Sequence, residues 1–280
     1  METMKKPRIG HINFLNVLPL TYSYAHGYAE GLELTEAVPA ELNQQIRTHQ
    51  LDVSAVSSIV YARNAADLLI MPDICIRSDA DVESIVLVSR KPAAELDGSK
   101  IILTAKSETS HCLLKIILHR GYSVKPSYEI RPIGLDDYLP KEADAALLIG
   151  DDALHLYHNR QPVLYYYDLG REWHTLTGHS MVYAVWAVQK DFAADCPHQL
   201  ELAHQRIVDG LNAGLQHKDA AINSVFAAKD FAYEVLDHYL GGIIHWDLTA
   251  EHLKSLQLFY RLAFAEGLIP SVPEIKTALS

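Results

Sequence analysis

Cysteine is scarce: 280 residues hold three, Cys75, Cys112 and Cys196, far apart and with no C-x-x-C pair. Such spacing encodes neither a disulfide framework nor a thiolate metal site, so reduced, partly buried thiols are expected. Long apolar runs are missing too. No stretch reaches about 18 uncharged apolar residues, the length a membrane-spanning helix needs. In the opening METMKKPRIGHINFLN, Pro7, Arg8, Gly10, His11 and Asn13 interrupt any apolar leader core, and a cytoplasmic protein is expected. Positive charge is in deficit, with 24 Lys and Arg against 35 Asp and Glu, a net charge of -11. That balance argues against a nucleic-acid-binding face or a polybasic membrane patch, and leaves room for a small anionic ligand.

Familiar catalytic signatures are absent as well. Neither G-x-x-x-x-G-K-[ST] nor G-x-G-x-x-G occurs, so no nucleoside triphosphate or dinucleotide site is indicated. Fifteen histidines are present but H-E-x-x-H is not, and His155 and His158 lack a carboxylate pattern nearby; no metal is expected. No serine sits in G-x-S-x-G, which disfavours a Ser-His-Asp hydrolase.

What is present is a strong apolar content, 49% of residues, enough for two cores in one large or two modest domains. Strand patterns at 8–12, 32–38, 51–56 and 68–71 alternate with helical stretches at 19–28, from Pro39, and at 59–64, a βαβαβ opening that favours a parallel sheet. Further strands are expected at 84–89, 100–104, 128–132, 145–149, 163–169 and 181–188, with an apolar helix over 111–119 and a short one capped by Asp151. From Pro197 the chain reads helical, with Leu200, Ala203, Ile207, Leu211 and Leu215 at helix spacing, then Leu253, Leu256, Tyr260 and Ala263. The economical α/β arrangement has two lobes. Residues 1–90 plus 187–280 form one and 95–182 the other, with crossings near 89–100 and 181–188; the C-terminal helices return to cover the first sheet.

Three segments could carry chemistry. The first, 11–20, places His11, Asn13 and Asn16 just after the first strand, where open α/β sheets put ligands. Asparagine offers a donor and an acceptor but no base at neutral pH, and the alternative is a turn in which Asn13 or Asn16 bonds its own backbone. His11 reads more readily as a structural histidine than as a ligand contact. The second, 104–111, gathers Ser107, Thr109 and Ser110 at a helix start, either an anion site or a plain capping box. In the third, Gly150 and Asp151 end a strand, suited to close ligand approach or simply to an N-cap, and Asp168, Arg171, Glu172 and Trp173 follow in a strand-to-helix turn.

Taken together, RIGHINFLNVLPL (8–20), LDVSAVSSIVYARN (51–64), VESIVLVS (82–89), SETS (107–110), DLGREWHTLTG (168–178) and VYAVWA (182–187) resemble the MqnA family of chorismate dehydratases, over about residues 8–266. The resemblance implies a two-lobed, periplasmic-binding-protein type II fold with a mixed sheet in each lobe, used as a cytoplasmic enzyme that encloses its substrate. It implies loss of water from chorismate to give 3-[(1-carboxyvinyl)oxy]benzoate on the way to menaquinone, with no metal or organic cofactor. The family's asparagine falls on Asn16 and its active-site serine on Ser84. Its substrate loop falls on Ser107, Thr109 and Ser110, and its glycine on Gly150; Asp151 and His11 join as candidate substrate contacts. At His179-Ser180-Met181 the chain departs from the family's usual Leu-Pro-Phe, a change that bears on packing or lobe closure.

Chorismate is a dianion whose aromatisation drives dehydration, so restraint and carboxylate binding matter more than a powerful base. Asn16, Ser84, Ser107 and Thr109 are all poor bases, which points to the substrate's own enolpyruvyl carboxylate as proton acceptor, with His11 or Asp151 as runner-up. The rival functions are 1,4-dihydroxy-6-naphthoate synthase, which lacks the F-L-N-x-x-P-L opening, and a small-anion solute-binding protein. Homodimerisation is left open.

Overall fold

The computed structural model describes residues 6–279, so the first five residues of the segment read for a leader lie outside the described residues. Among the described residues, eleven strands form two sheets. In chain order they are β1 (Arg8–Ile12), β2 (Glu33–Ala37), β3 (Val53–Ser57), β4 (Leu68–Ser78), β5 (Ile85–Ser89), β6 (Lys100–Thr104), β7 (Ser127–Arg131), β8 (Ala145–Ile149), β9 (Tyr165–Asp168), β10 (Met181–Gln189) and β11 (His245–Leu248).

The first lobe is built on the order β11-β4-β10-β3-β1-β2 and the second on β7-β6-β8-β5-β9. Both sheets are mixed. In the first, β1 runs parallel to β2 and β3, while β10 is antiparallel to β3 and β4. In the second, β6 runs parallel to β7 and β8, and β5 lies antiparallel between β8 and β9. The pairing of β11 with β4 shows that the C-terminal region does return to the first lobe. The helix Ala250–Ala265 buries Leu256, Phe259, Tyr260 and Ala263, and the Tyr260 hydroxyl donates to the Ser58 carbonyl at 2.8 Å.

The crossings lie elsewhere than the expected 89–100 and 181–188. Because β5 pairs within the second sheet and β10 within the first, the chain passes between lobes at 79–84 and 178–180. The expected lobe boundaries at 90 and 187 move accordingly. Antiparallel partners some sixty and eighty residues away hold β5, and no local pattern reveals them. The second crossing, Gly178 to Ser180, contains two of the three residues that depart from the family pattern. There the Trp173 indole N–H donates to the Ser180 carbonyl at 3.1 Å, tying the crossing to the helix before it.

β4 is longer than its sequence suggests. The expected strand covers 68–71, yet it continues to Ser78: Ile70 pairs with Ala187 and Cys75 with Val185, so residues 71–74 bulge from the ladder and Asp73 takes a positive φ of 68°. The second sheet shows the two-residue alternation of a doubly covered sheet. Leu87, Ile101, Leu103 and Leu147 face the main core, whereas Val86, Val88, Ile102 and Leu148 join a smaller cluster under the helix Asp151–His158.

One carboxylate organises both crossings. Asp168, at the end of β9, accepts from Val82 N at 3.1 Å and Glu83 N at 2.6 Å in the first crossing. It also caps the helix Leu169–Thr177 by accepting from Gly170 N at 2.9 Å and Arg171 N at 3.1 Å. Gly170 is required by close approach: a Cβ there would lie 2.2 Å from the Ala80 carbonyl oxygen. Burial pushes the Asp168 carboxyl up to about 6, with the backbone N–H donors pulling the other way. Asp168→Ala strands these donors and removes the cap, which should cost about 3 kcal/mol or more. Thermal melting followed by circular dichroism should fall by roughly 6–10 °C; an unchanged midpoint would show that the clamp is dispensable.

Candidate active site

The cavity between the lobes contains about 500 Å³ of space unfilled by atoms, part of it open to solvent. Its apolar walls are Ile12, Phe14, Ile76, Val82, Ile149 and Ile244. Into this surface are set Asn16, Ser57, Ser84, Ser107 and Tyr183, so every polar side chain of the lining is neutral. Helices begin beside three lining positions. Ser57 precedes the helix Ser58–Arg63, Ser107 stands two residues before Thr109–Ile116, and Gly150 immediately precedes Asp151–His158. The positive ends of helices therefore approach the cavity with no lining cation among the described residues, an arrangement suited to an anion.

Gly150 is fixed by two constraints. Its φ of 70° with ψ of -148° belongs to glycine, and a Cβ would meet the Phe14 ring at 3.0 Å. Phe14 of the first lobe thus packs directly on the backbone of the second.

Asn16 sits in the loop after β1, held from both lobes. Leu15 N donates to Asp151 Oδ1 at 3.0 Å, and the Trp246 indole N–H donates to the Asn16 main-chain carbonyl at 2.9 Å. The side-chain oxygen Asn16 Oδ1 is buried with no hydrogen-bond partner. An orphaned amide oxygen costs about 1–3 kcal/mol, so it marks a place where a ligand donor completes the structure. Ser84 stands at the junction of the first crossing and β5. Its Oγ donates to the Val82 carbonyl at 3.2 Å and accepts from the Tyr239 hydroxyl at 2.7 Å.

The other expected residues divide. Ser107 lines the cavity, but Thr109 and Ser110 lie behind its wall. The Thr109 hydroxyl is engaged across the lobes with Ser58 Oγ and Ile59 N, each at 3.3 Å, and Ser110 Oγ is fully buried without a partner. Asp151, expected as a substrate contact, is not among the cavity-lining residues; it accepts from Lys229 Nζ at 2.8 Å as well as from Leu15 N. On the opposite side Glu108 receives Arg47 at 2.8 Å and Arg63 at 2.7 Å. These contacts bridge the two lobes.

His11 is not among the cavity-lining residues. It is buried at 1% exposure, with Nε2 2.7 Å from Thr21 Oγ1 and its ring edge-on to Tyr24. The side chain of a β1 residue next to Ile12 alternates away from the cavity wall, which the sequence position alone did not resolve. Sequence reasoning gave no role to Tyr183 or Tyr239. Their signal was a lone hydroxyl in an apolar stretch, and only the fold brings those hydroxyls to Ser78 and Ser84 respectively.

Two mixed sheets, joined by a pair of crossings and closed on an interlobe cavity, define the two-lobed class of periplasmic-binding-protein type II-like folds. The structure of an Archaeoglobus fulgidus protein from structural genomics superposes with a TM-score of 0.75 at 20% identity, covering 96% of this chain and all of that one. The periplasmic aliphatic sulphonate binding protein SsuA of Escherichia coli gives 0.68 at 14% identity, over 98% of this chain and 91% of its own. The family model for menaquinone biosynthesis matches residues 7–265, and the chain belongs to that family. A curated relative, the chorismate dehydratase of Thermus thermophilus, is 30% identical over 197 residues, 65% of this chain and 70% of its own.

Burial pulls the His11 imidazole down from 6.5 to about 4, so unfolding binds a proton between those values. The contribution of His11 to stability is complete above pH 6.5 and is lost as pH falls toward 4, by about 3 kcal/mol in all. Denaturant titrations of His11→Gln across this range should show a flatter decline than wild type, with turnover retained. A loss of turnover exceeding the loss of folded protein would return His11 to the site.

Proposed function

We propose that the protein is a chorismate dehydratase, eliminating water to form 3-[(1-carboxyvinyl)oxy]benzoate in menaquinone biosynthesis. The observation that carries this reading is the neutral, hydroxyl-studded cavity beside three helix starts, with the unpaired Asn16 oxygen in its wall. A dianion is held there by N–H and O–H donors, which explains how an acidic chain accepts an acidic substrate. Family membership and the curated relative support the same reaction.

In the proposed chemistry the C3–H and C4–O bonds of chorismate break. The C3–H electron pair becomes the last double bond of the benzene ring, and the C4 oxygen leaves as water. Ser84 donates to the departing oxygen. Asn16 accepts from the C4 hydroxyl through its free amide oxygen and orients the enolpyruvyl arm through its amide N–H groups. The enolpyruvyl carboxylate takes the C3 proton, since neither residue is a base near neutrality, and passes it to the departing hydroxide, so that water leaves and the carboxylate is regenerated. Closure of the rim excludes water, which would otherwise weaken every one of these hydrogen bonds. The Ser107 hydroxyl grips a substrate carboxylate that keeps its charge, and so contributes to binding in ground and transition state alike.

A cytoplasmic setting is part of the proposal, supported by three free cysteines, of which Cys75 and Cys112 are buried with thiols pushed up by that burial. Among the described residues no helix is long and apolar enough to cross a membrane.

Incubation with chorismate in the presence of a chelator should give an aromatic product lighter by one water, read by mass spectrometry. Binding without turnover would make the protein a receptor of small anions instead. Asn16→Leu should lower kcat about a hundredfold with its melting curve intact, as removal of a single preorganised donor or acceptor does elsewhere. Ser107→Ala should raise KM and leave kcat nearly unchanged. Near-wild-type turnover in Asn16→Leu would remove that residue from the mechanism.

A further inference from the structure

Ser84 has one proton and two lone pairs to place, and its surroundings restrict both. One lone pair is occupied by the Tyr239 hydroxyl at 2.7 Å, while the proton rests on the Val82 carbonyl at a longer 3.2 Å. The second contact is the weaker, so the proton is the part of Ser84 free to turn toward a ligand. Tyr239 is 1% exposed and belongs to the first lobe, whereas Ser84 opens onto the second sheet. It begins the widened turn Tyr239–Ile243 that follows the helix Tyr233–His238, and such local widening recurs at functional sites. Ile244, next along the chain, is itself a wall of the cavity.

We propose that Tyr239 is a positioning residue that acts through Ser84: its hydroxyl donates into the Ser84 oxygen, so that the Ser84 proton is directed at the oxygen leaving C4 of the substrate. This inference rests on the dehydratase reading. As the C4–O bond breaks, the departing oxygen gains negative charge and draws on the Ser84 proton. Charge building on Ser84 Oγ is then met by the Tyr239 hydroxyl, each bond strengthening the other. Burial among apolar side chains pushes the Tyr239 hydroxyl well above its ordinary range, so it remains a donor throughout the working pH.

The test is a double-mutant cycle on the full chain, with chorismate as substrate. Tyr239→Phe removes one oxygen and should lower kcat about tenfold, the effect of a single hydrogen bond, with KM within about twofold of wild type. In a Ser84→Ala background the same change should have no further effect on kcat. That coupling is the readout a merely structural tyrosine would not produce, since damage to packing carries over into either background. Incorporation of a ring-fluorinated tyrosine at position 239, isosteric and a stronger donor, should keep kcat at or above the wild-type value even if Tyr239→Phe melts early. Turnover of Tyr239→Phe within twofold of wild type, an equal loss in the Ser84→Ala background, or failure of the fluorinated residue to sustain turnover would each overturn the inference while wild-type activity stands. An inactive wild type would instead overturn the dehydratase reading, and the inference with it.

Discussion

The Asp168 carboxylate is the point on which the two-lobed form turns. It gathers backbone N–H groups from the first crossing and from the start of the helix that leads to the second, so both connections are referred to one pair of oxygens. Val82, which it holds, in turn supplies the carbonyl that Ser84 bonds, and the chain then enters β5. Glu83 is kept at a φ of 56°, a conformation a non-glycine residue adopts only when its neighbours determine it. Placement of the Ser84 hydroxyl therefore begins with a carboxylate that does not line the cavity.

The separation of charge from the cavity follows the same economy. Formal charges stand on the rim, in Asp151 with Lys229, Glu108 with Arg47 and Arg63, and Lys106 with Asp152. Inside are hydroxyls, one amide and helix starts. A lining arginine would bind a dianion more tightly in substrate and transition state together, whereas oriented neutral donors can be aimed where charge develops. The departing hydroxyl in the proposed reaction gains charge at one atom, and that atom is matched by one O–H.

Much of this was legible in the sequence, for reasons of period and spacing. Short apolar strands bounded by glycine, proline or serine gave the two α/β units, and Asn16, Ser84 and Gly150 reached the cavity wall through motifs. What could not be read depends on distant partners. β5 looked like the end of the first lobe because only its pairing with β8 and β9 reveals its sheet. The strand expected at 68–71 was cut short because its continuation lies beyond a bulge that shows only in the pairing with β10. Thr109 and Ser110 share a turn with Ser107, yet one is spent on Ser58 and the other sealed in the core. Tyr239 lies 155 residues from Ser84, and no local pattern announces their contact.

The two acidic clasps differ from ordinary surface ion pairs in where their partners come from. Asp151 draws on Leu15 N and Lys229, and Glu108 draws on Asn43, Arg47 and Arg63; every one of these groups belongs to the first lobe, while both carboxylates ride on the second. Separation of the lobes breaks both sets in one movement, and Phe14 must leave Gly150 in the same instant. In the proposed reaction, substrate entry and product exit between the lobes meet the same two clasps.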